Sequence, residues 1–143
     1  APEYIAEVLK VKSQMDSGMF KPLQLAAVEA LNQSPEWFEE LNSEYVRRRV
    51  AAGRIFKTLG AVYDHDTAGL FLWGRVPSEY AGNGMTAGEV VSERVLRQAG
   101  VFITPGFIFG KNGNDYIRIS LCAKPEVLER ANKKIEKVIK NIL

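Results

Sequence analysis

The chain has 143 residues, 46% of them hydrophobic and 25% charged, which is the composition of an ordinary globular protein that can bury a sizeable core. Its 19 basic and 17 acidic residues give a formal net charge of +2, too near balance to indicate a nucleic-acid partner. No apolar run approaches the roughly 18 residues that cross a bilayer, and the first ten residues lack the layout of a signal peptide. We therefore expect a cytoplasmic protein with no membrane partner.

The first 60 residues are predicted to form three helices. Apolar residues recur at helical spacing over residues 2–12, and a second, alanine-rich pattern covers residues 22–31 after the turn-forming residues 16–18. Ser34 and Pro35 are a typical cap and first helical position, and one apolar stripe continues from them for about 25 residues. We expect this third helix to be the longest element of the chain.

Strand-like composition follows in the middle of the chain. Residues 61–64 and 69–76 are rich in β-branched and aromatic side chains and are joined by a loop that contains His65, the sole histidine of the sequence. With no second ligand near it, His65 is interpreted as a solvated turn residue rather than a metal or acid/base site. Thr86 and Glu89 have the spacing of a capping box, which predicts the start of a fourth helix.

Residues 100–123 read as two apolar strands, at 101–104 and 116–121, joined by a glycine-rich corner. The corner resembles a phosphate loop only superficially, because no Ser or Thr follows its lysine and a strand comes next, so we predict a turn. In the second strand, alternation predicts two faces: Ile117, Ile119 and Leu121 on one, and Tyr116, Arg118 and Ser120 on the other. The Arg118 guanidinium is thus expected on an ordered sheet face.

A last helix is predicted to begin at Pro125, with an apolar face and a lysine-rich face. The order of elements predicts an α+β fold: a small, mainly antiparallel sheet with helices packed on one face, including one long helix. We find no linker and no internal repeat, so residues 1–143 are interpreted as one domain.

Two side chains in or just after the last predicted strand are chemical candidates. Arg118 suits carboxylate recognition, because the planar guanidinium offers paired donors that match the two oxygens of a carboxylate. A surface or interface salt bridge is the alternative. Cys122 is the sole cysteine, which excludes an internal disulfide, and we expect it to be a small buried apolar residue rather than a nucleophile.

The stretch 101–120 resembles the C-terminal signature of the class I/II (fold type I) pyridoxal-phosphate aminotransferases of the aspartate aminotransferase type. In that signature a V-x-x-T-P-G-x-x-F-G run precedes a strand with an R-I/L-S triplet. The matching residues are Val101, Thr104, Pro105, Gly106, Phe109, Gly110, Arg118, Ile119 and Ser120. Residues 12–31 and 69–77 fit the same family in the same order, so the likeness extends over nearly the whole chain.

The resemblance implies the C-terminal small domain of such an enzyme, with the large cofactor-binding domain absent. Arg118 matches the arginine that holds the substrate α-carboxylate, and the implied partners are an amino acid or 2-oxo acid, the large domain of the same protein and a second subunit in a homodimer. Pyridoxal 5′-phosphate is the implied cofactor of the full-length protein. The family's S-x-S-K and G-x-R-x-G motifs do not occur in the sequence, so this chain alone is expected to be inactive.

Two other functions remain open at this stage. The chain could be a non-catalytic α+β module that binds a small carboxylate or another protein, or an aminotransferase-like domain of a transcriptional regulator. The sequence upstream of this chain would distinguish these alternatives, because each predicts a different preceding segment.

Overall fold

The computed structural model describes residues 2–15 and 18–142, and side chains as far as residue 139. The chain forms two compact units, Ala1–Glu40 and Leu41–Leu143. Of the predicted turn, Asp16 and Ser17 lie outside the described residues. Gly18, which follows them, has a φ of 98°, a conformation that favours glycine.

The first unit is helical. It contains α1 (Pro2–Met15), α2 (Lys21–Leu31) and the start of α3, which runs from Pro35 to Thr58. The Ser34 side chain accepts a hydrogen bond from the Trp37 amide at 3.4 Å, so the predicted cap is confirmed. None of the described side chains of α1 and α2 is buried, and large apolar residues on both helices face outward.

The second unit contains a sheet that, over the described residues, has four antiparallel strands in the order β1-β2-β4-β3. These are β1 (Val62–Tyr63), β2 (Phe71–Arg75), β3 (Thr104–Pro105) and β4 (Tyr116–Ser120). β4 is an interior strand, because β2 pairs with one of its edges and β3 with the other. Short 3₁₀ turns, Gly106–Phe109 and Lys111–Gly113, form the predicted corner between β3 and β4.

Three helices share one core with the inner face of this sheet. They are the second half of α3, α4 (Ala87–Ala99) and α5 (Pro125–Ile142). The core residues are apolar and almost fully buried; the largest are Ile55, Phe56, Leu59, Leu72, Ile117, Leu121 and Ile135. The predicted α+β fold, with helices on one face and one long helix, is confirmed.

α4 begins where the sequence predicts, and a glycine ends it. The Glu89 amide donates to the Thr86 hydroxyl, and the Thr86 amide donates to the Glu89 carboxylate, each at 3.4 Å, so both halves of the capping box are present. Gly100 closes the helix in the left-handed conformation, with a φ of 64°. The start and end of α4 are therefore determined by local chemistry.

Three details differ from the predictions. Of the predicted 101–104 strand, only Thr104 pairs with β4; the paired segment continues to Pro105, and residues 101–103 are not in a strand. Cys122, expected to be buried, is exposed, because β4 ends at Ser120 and Leu121 takes the last inward position. The first half of the α3 stripe is partly exposed, since Phe38 retains 41% of its accessible surface.

None of the described helices combines the length and the apolar character that a bilayer-spanning segment needs.

Candidate functional site

Arg118 lies in the middle of β4 on the face that points away from the helices. Its neighbours in the strand, Ile117 and Ile119, are buried in the core and hold the strand against the helices. Across the ladders, Arg118 is opposite Trp73 of β2 and Thr104 of β3. The predicted outward position of Arg118 is therefore confirmed, and its backbone is held on both sides.

Two aromatic rings contact the half-buried Arg118 side chain. The central guanidinium carbon, Cζ, lies 4.2 Å from the ring centroid of Phe71 and 4.5 Å from that of Phe109. Trp73 makes an edge contact with Phe109, at 5.4 Å between centroids, and stacks on Tyr116 at 5.6 Å. Phe71 and Phe109 keep 45% and 52% of their surface exposed, so the guanidinium lies at the base of an open aromatic surface.

Arg118 differs from other arginines of the second unit in its charge environment. Arg48, Arg54 and Arg75 each pair with a carboxylate, at 2.8, 3.2 and 3.7 Å respectively. Among the described residues, none forms a salt bridge or side-chain hydrogen bond with Arg118. A half-buried guanidinium without an acidic partner retains its capacity to bind an anion.

The corner before β4 determines where Phe109 lies. Gly106 and Gly113 approach so closely that a Cβ on either would overlap the other's backbone oxygen. Gly110 has a φ of 114° and donates its amide to the Phe107 carbonyl at 2.9 Å. Glycine is thus required in this corner for close backbone packing, which the predicted turn did not specify.

A separate groove of about 770 Å³ opens beside the same sheet face. Trp73, Arg75 and Tyr116 contribute to its wall, but Arg118 does not. Arg75 lies 3.7 Å from Asp115, which also accepts a hydrogen bond from Ser78 at 2.8 Å. Arg75 therefore already has a carboxylate partner, which Arg118 lacks among the described residues.

The other sequence candidates lie outside this arrangement. His65 is exposed in its loop, and its ring lies 4.3 Å from that of Tyr63. Over the described residues, no group of three or more His, Cys, Asp or Glu side chains is arranged to hold a metal ion. Cys122 contributes its backbone carbonyl, rather than its thiol, to a contact with Arg48 at 3.4 Å.

Arg48 joins α3 to the end of β4. It donates to the Leu121 carbonyl at 3.1 Å and to the Glu44 carboxylate at 2.8 Å, and its Cζ lies 5.2 Å from the Tyr45 ring centroid. Hydrogen bonds from Arg48 and then Arg47 lower the pKa of Glu44 below its ordinary value. This network supports the strand that carries Arg118.

The chemistry that this face can perform is recognition of an anion. The outward residues of the described strands β2 and β4 are Phe71, Trp73, Arg75, Tyr116, Arg118 and Ser120, and this set includes no lysine. A guanidinium among aromatic rings suits a flat, singly charged carboxylate. These residues do not fit the covalent anchoring of pyridoxal phosphate, which needs a lysine amine.

Comparison with known proteins connects this fold to one family. No protein-family model matches the chain. The LL-diaminopimelate aminotransferase of Oleidesulfovibrio alaskensis is 37% identical over 131 residues, which cover 92% of this chain and 32% of that protein. A putative aminotransferase of Rhizobium meliloti is 30% identical over 135 residues, covering 94% of the chain and 33% of the relative.

Solved structures give the same result. BacF of Bacillus subtilis superposes with a TM-score of 0.74 at 31% identity, covering 95% of this chain and 35% of that structure. The aromatic aminotransferase of Pyrococcus horikoshii has a TM-score of 0.68 at 31% identity, with 84% and 32% coverage. The chain spans about a third of the length of the relatives it matches. It is homologous to the C-terminal third of the fold type I aminotransferases.

Proposed function

We propose that this chain is the small domain of a pyridoxal-phosphate-dependent aminotransferase, in which Arg118 binds the α-carboxylate of the amino acid or 2-oxo acid. The observation that carries the proposal is the half-buried Arg118 guanidinium, which is held on an interior strand and has no carboxylate partner among the described residues. Homology to aminotransferases supports the reaction class.

The remainder of the protein has to supply the cofactor site. The sequence contains no S-x-S-K motif, and the face around Arg118 offers no lysine in the described strands. Pyridoxal phosphate, when bound by the large domain, supplies the electron sink that makes the substrate Cα–H bond acidic. The chain without that domain is therefore inactive in this proposal.

The role of Arg118 is to position the substrate. Two parallel N–H donors on the carboxylate restrain both the location and the rotation of the amino acid, which orients its Cα–H bond toward the cofactor. Small displacements of a reacting group are costly, so a guanidinium held by an interior strand is well suited to this role.

The proposed protein partners are the large domain of the same polypeptide and a second subunit. Apolar residues exposed in each unit support this, among them Ile5, Val8 and Leu23 in the first and Phe107 and Ile108 in the second. We propose the cytoplasm, in which free amino acids and 2-oxo acids are metabolised, as the compartment.

Substitution of Arg118 in the full-length protein tests the proposal. Arg118→Ala should lower kcat/KM for amino acids roughly 30-fold to several thousand-fold, because loss of a desolvated charged partner costs about 2–5 kcal/mol. Arg118→Lys should recover only part of this loss, since a point charge does not reproduce the paired donors.

An amine substrate that lacks the carboxylate is the control. Its slow turnover should be nearly the same in Arg118→Ala as in the unaltered protein. An equal loss with both substrates would show that Arg118 is structural and would exclude the proposed role.

A further inference from the structure

The two rings that contact Arg118 suggest a role for residues beyond the arginine itself. We propose that Phe71 and Phe109 are positioning residues, which form an aromatic clamp that restricts the Arg118 guanidinium and directs its donor edge toward the substrate carboxylate. The inference rests on the proposed function of Arg118. In this inference, the aromatic clamp contributes part of the affinity for the substrate.

The clamp is assembled from two segments that are distant in sequence. Phe71 is the first residue of β2 and pairs with Ser120, so it is a diagonal neighbour of Arg118 across the ladder. Phe109 ends the 3₁₀ turn that follows β3. Arg118 is thus contacted by one ring from its own sheet, at 4.2 Å, and by one from the corner, at 4.5 Å.

Phe109 is supported from behind. Its ring makes an edge contact with Trp73, the residue directly opposite Arg118 on β2. The turn that carries Phe109 is held by close packing of Gly106 against Gly113. The backbone of each glycine occupies the space that a side chain on the other would need. The ring therefore belongs to a constrained corner. A residue that positions another side chain must itself be held in place, and this corner meets that requirement.

No side chain among the described residues accepts a hydrogen bond from Arg118, so its N–H donors remain available beside the two rings. The five N–H donors of an arginine lie in the plane of the group, whereas an aromatic ring attracts the cation through its face. The clamp can therefore lower the rotational freedom of Arg118 without consuming its donors. Less entropy is then lost when a carboxylate binds, so affinity increases.

The test uses the full-length protein with Phe71→Leu and Phe109→Leu. Each change removes a cation–ring contact but keeps an apolar side chain. We expect the KM for the amino acid to rise about 3- to 30-fold, the factor that corresponds to one such contact, with a smaller change in kcat. Phe109→Tyr keeps the ring and should stay within about threefold of the unaltered protein.

A control is His65→Leu. His65 is exposed in the same unit, and its ring contacts Tyr63 and does not line the cavity that Arg118 lines. Its substitution should leave the KM unchanged, which would separate the clamp from a general loss of aromatic surface. If Phe109→Leu does not fold, Phe109→Met and Phe71→Leu provide the same measurement.

A double-mutant cycle separates the clamp from the proposed function. In the Arg118→Ala background, Phe109→Leu should raise the KM no further, because the clamp acts only through the guanidinium. A full additional loss in that background would overturn the inference while leaving the role of Arg118 intact. If Arg118→Ala impairs amino acid and carboxylate-free amine equally, the proposed function itself fails.

Discussion

Phe56 of α3 packs directly against the bare backbone of Gly74 in β2. A Cβ on Gly74 would be 2.6 Å from Cε1 and 2.8 Å from Cδ1 of the Phe56 ring, closer than atoms can approach. Phe56 is fully buried, so the ring has little space into which it could move. The long helix therefore approaches the sheet beside Trp73, whose side chain supports the aromatic surface on the opposite face.

Gly74→Ala should destabilise the folded chain by about 1–3 kcal/mol, the usual cost of inserting a methyl group into a packed core. Urea denaturation followed by circular dichroism measures this. Gly82→Ala is the matched control, because a Cβ there meets nothing within 4 Å and should change stability by less than about 0.5 kcal/mol. Equal effects at both positions would contradict the packing described for Gly74.

Arg48→Met should cost about 1–3 kcal/mol of unfolding free energy. The substitution keeps an apolar stem but leaves the Leu121 carbonyl without the donor that Arg48 supplies. Arg47→Met is the comparison, because Arg47 is exposed and pairs with Glu44 alone among the described contacts, so its loss should cost less than about 1 kcal/mol. A similar cost for both would mean that the carbonyl contact contributes nothing.

Acid should weaken the same network. Hydrogen bonds from Arg48 and Arg47 lower the pKa of Glu44 from its ordinary 4.5, so the folded state favours the charged carboxylate. This stabilisation is complete above about pH 4.5 and is lost as the pH falls through the lowered pKa. Unfolding free energies measured between about pH 3 and 6 should therefore depend less steeply on pH in Glu44→Gln.

Glu40→Gln is the control for that measurement, because Glu40 precedes Glu44 by one turn and has no hydrogen bond among the described contacts. It should keep the steeper pH dependence. If unfolding free energy depends on pH in the same way in Glu44→Gln and in the unaltered chain, the lowered pKa of Glu44 does not contribute to stability.

The 143-residue chain on its own should self-associate as its concentration rises. Phe107, Ile108 and Phe109 are consecutive and each is at least 40% exposed, which makes an apolar surface that tends to find a partner. Analytical ultracentrifugation should show dissociation on dilution, and Ile108→Ser should weaken the association more than Val62→Ser does. A monomer at every concentration would favour a self-contained module.

Local patterns in the sequence predicted the parts of the site that depend on neighbouring residues. Alternation predicts the outward position of Arg118, because one face of β4 is buried, and the Thr86 capping box predicts the start of α4. The contact between Phe109 and Arg118 was not predictable in this way. It depends on the path of the corner, which in turn depends on backbone packing between two glycines.

Cys122 shows a related limit. Its apolar character favoured burial, but Leu121 takes the last inward position and the chain turns immediately afterwards. Residue type alone does not determine burial where a strand ends. The alternation of β4, extended by two residues beyond Ser120, would have indicated the outward position.

Because side chains alternate between the two faces of β4, the site tolerates an even change in the number of strand residues better than an odd one. If one residue were inserted or deleted between Tyr116 and Arg118, the pairing with β2 would shift by one, and the guanidinium would turn toward the core of Leu72 and Phe56. A change of two residues would restore the faces. Among homologous proteins, length variation should therefore occur in the corner or in the loop before β2, whereas within β4 single-residue changes in length should be incompatible with carboxylate binding.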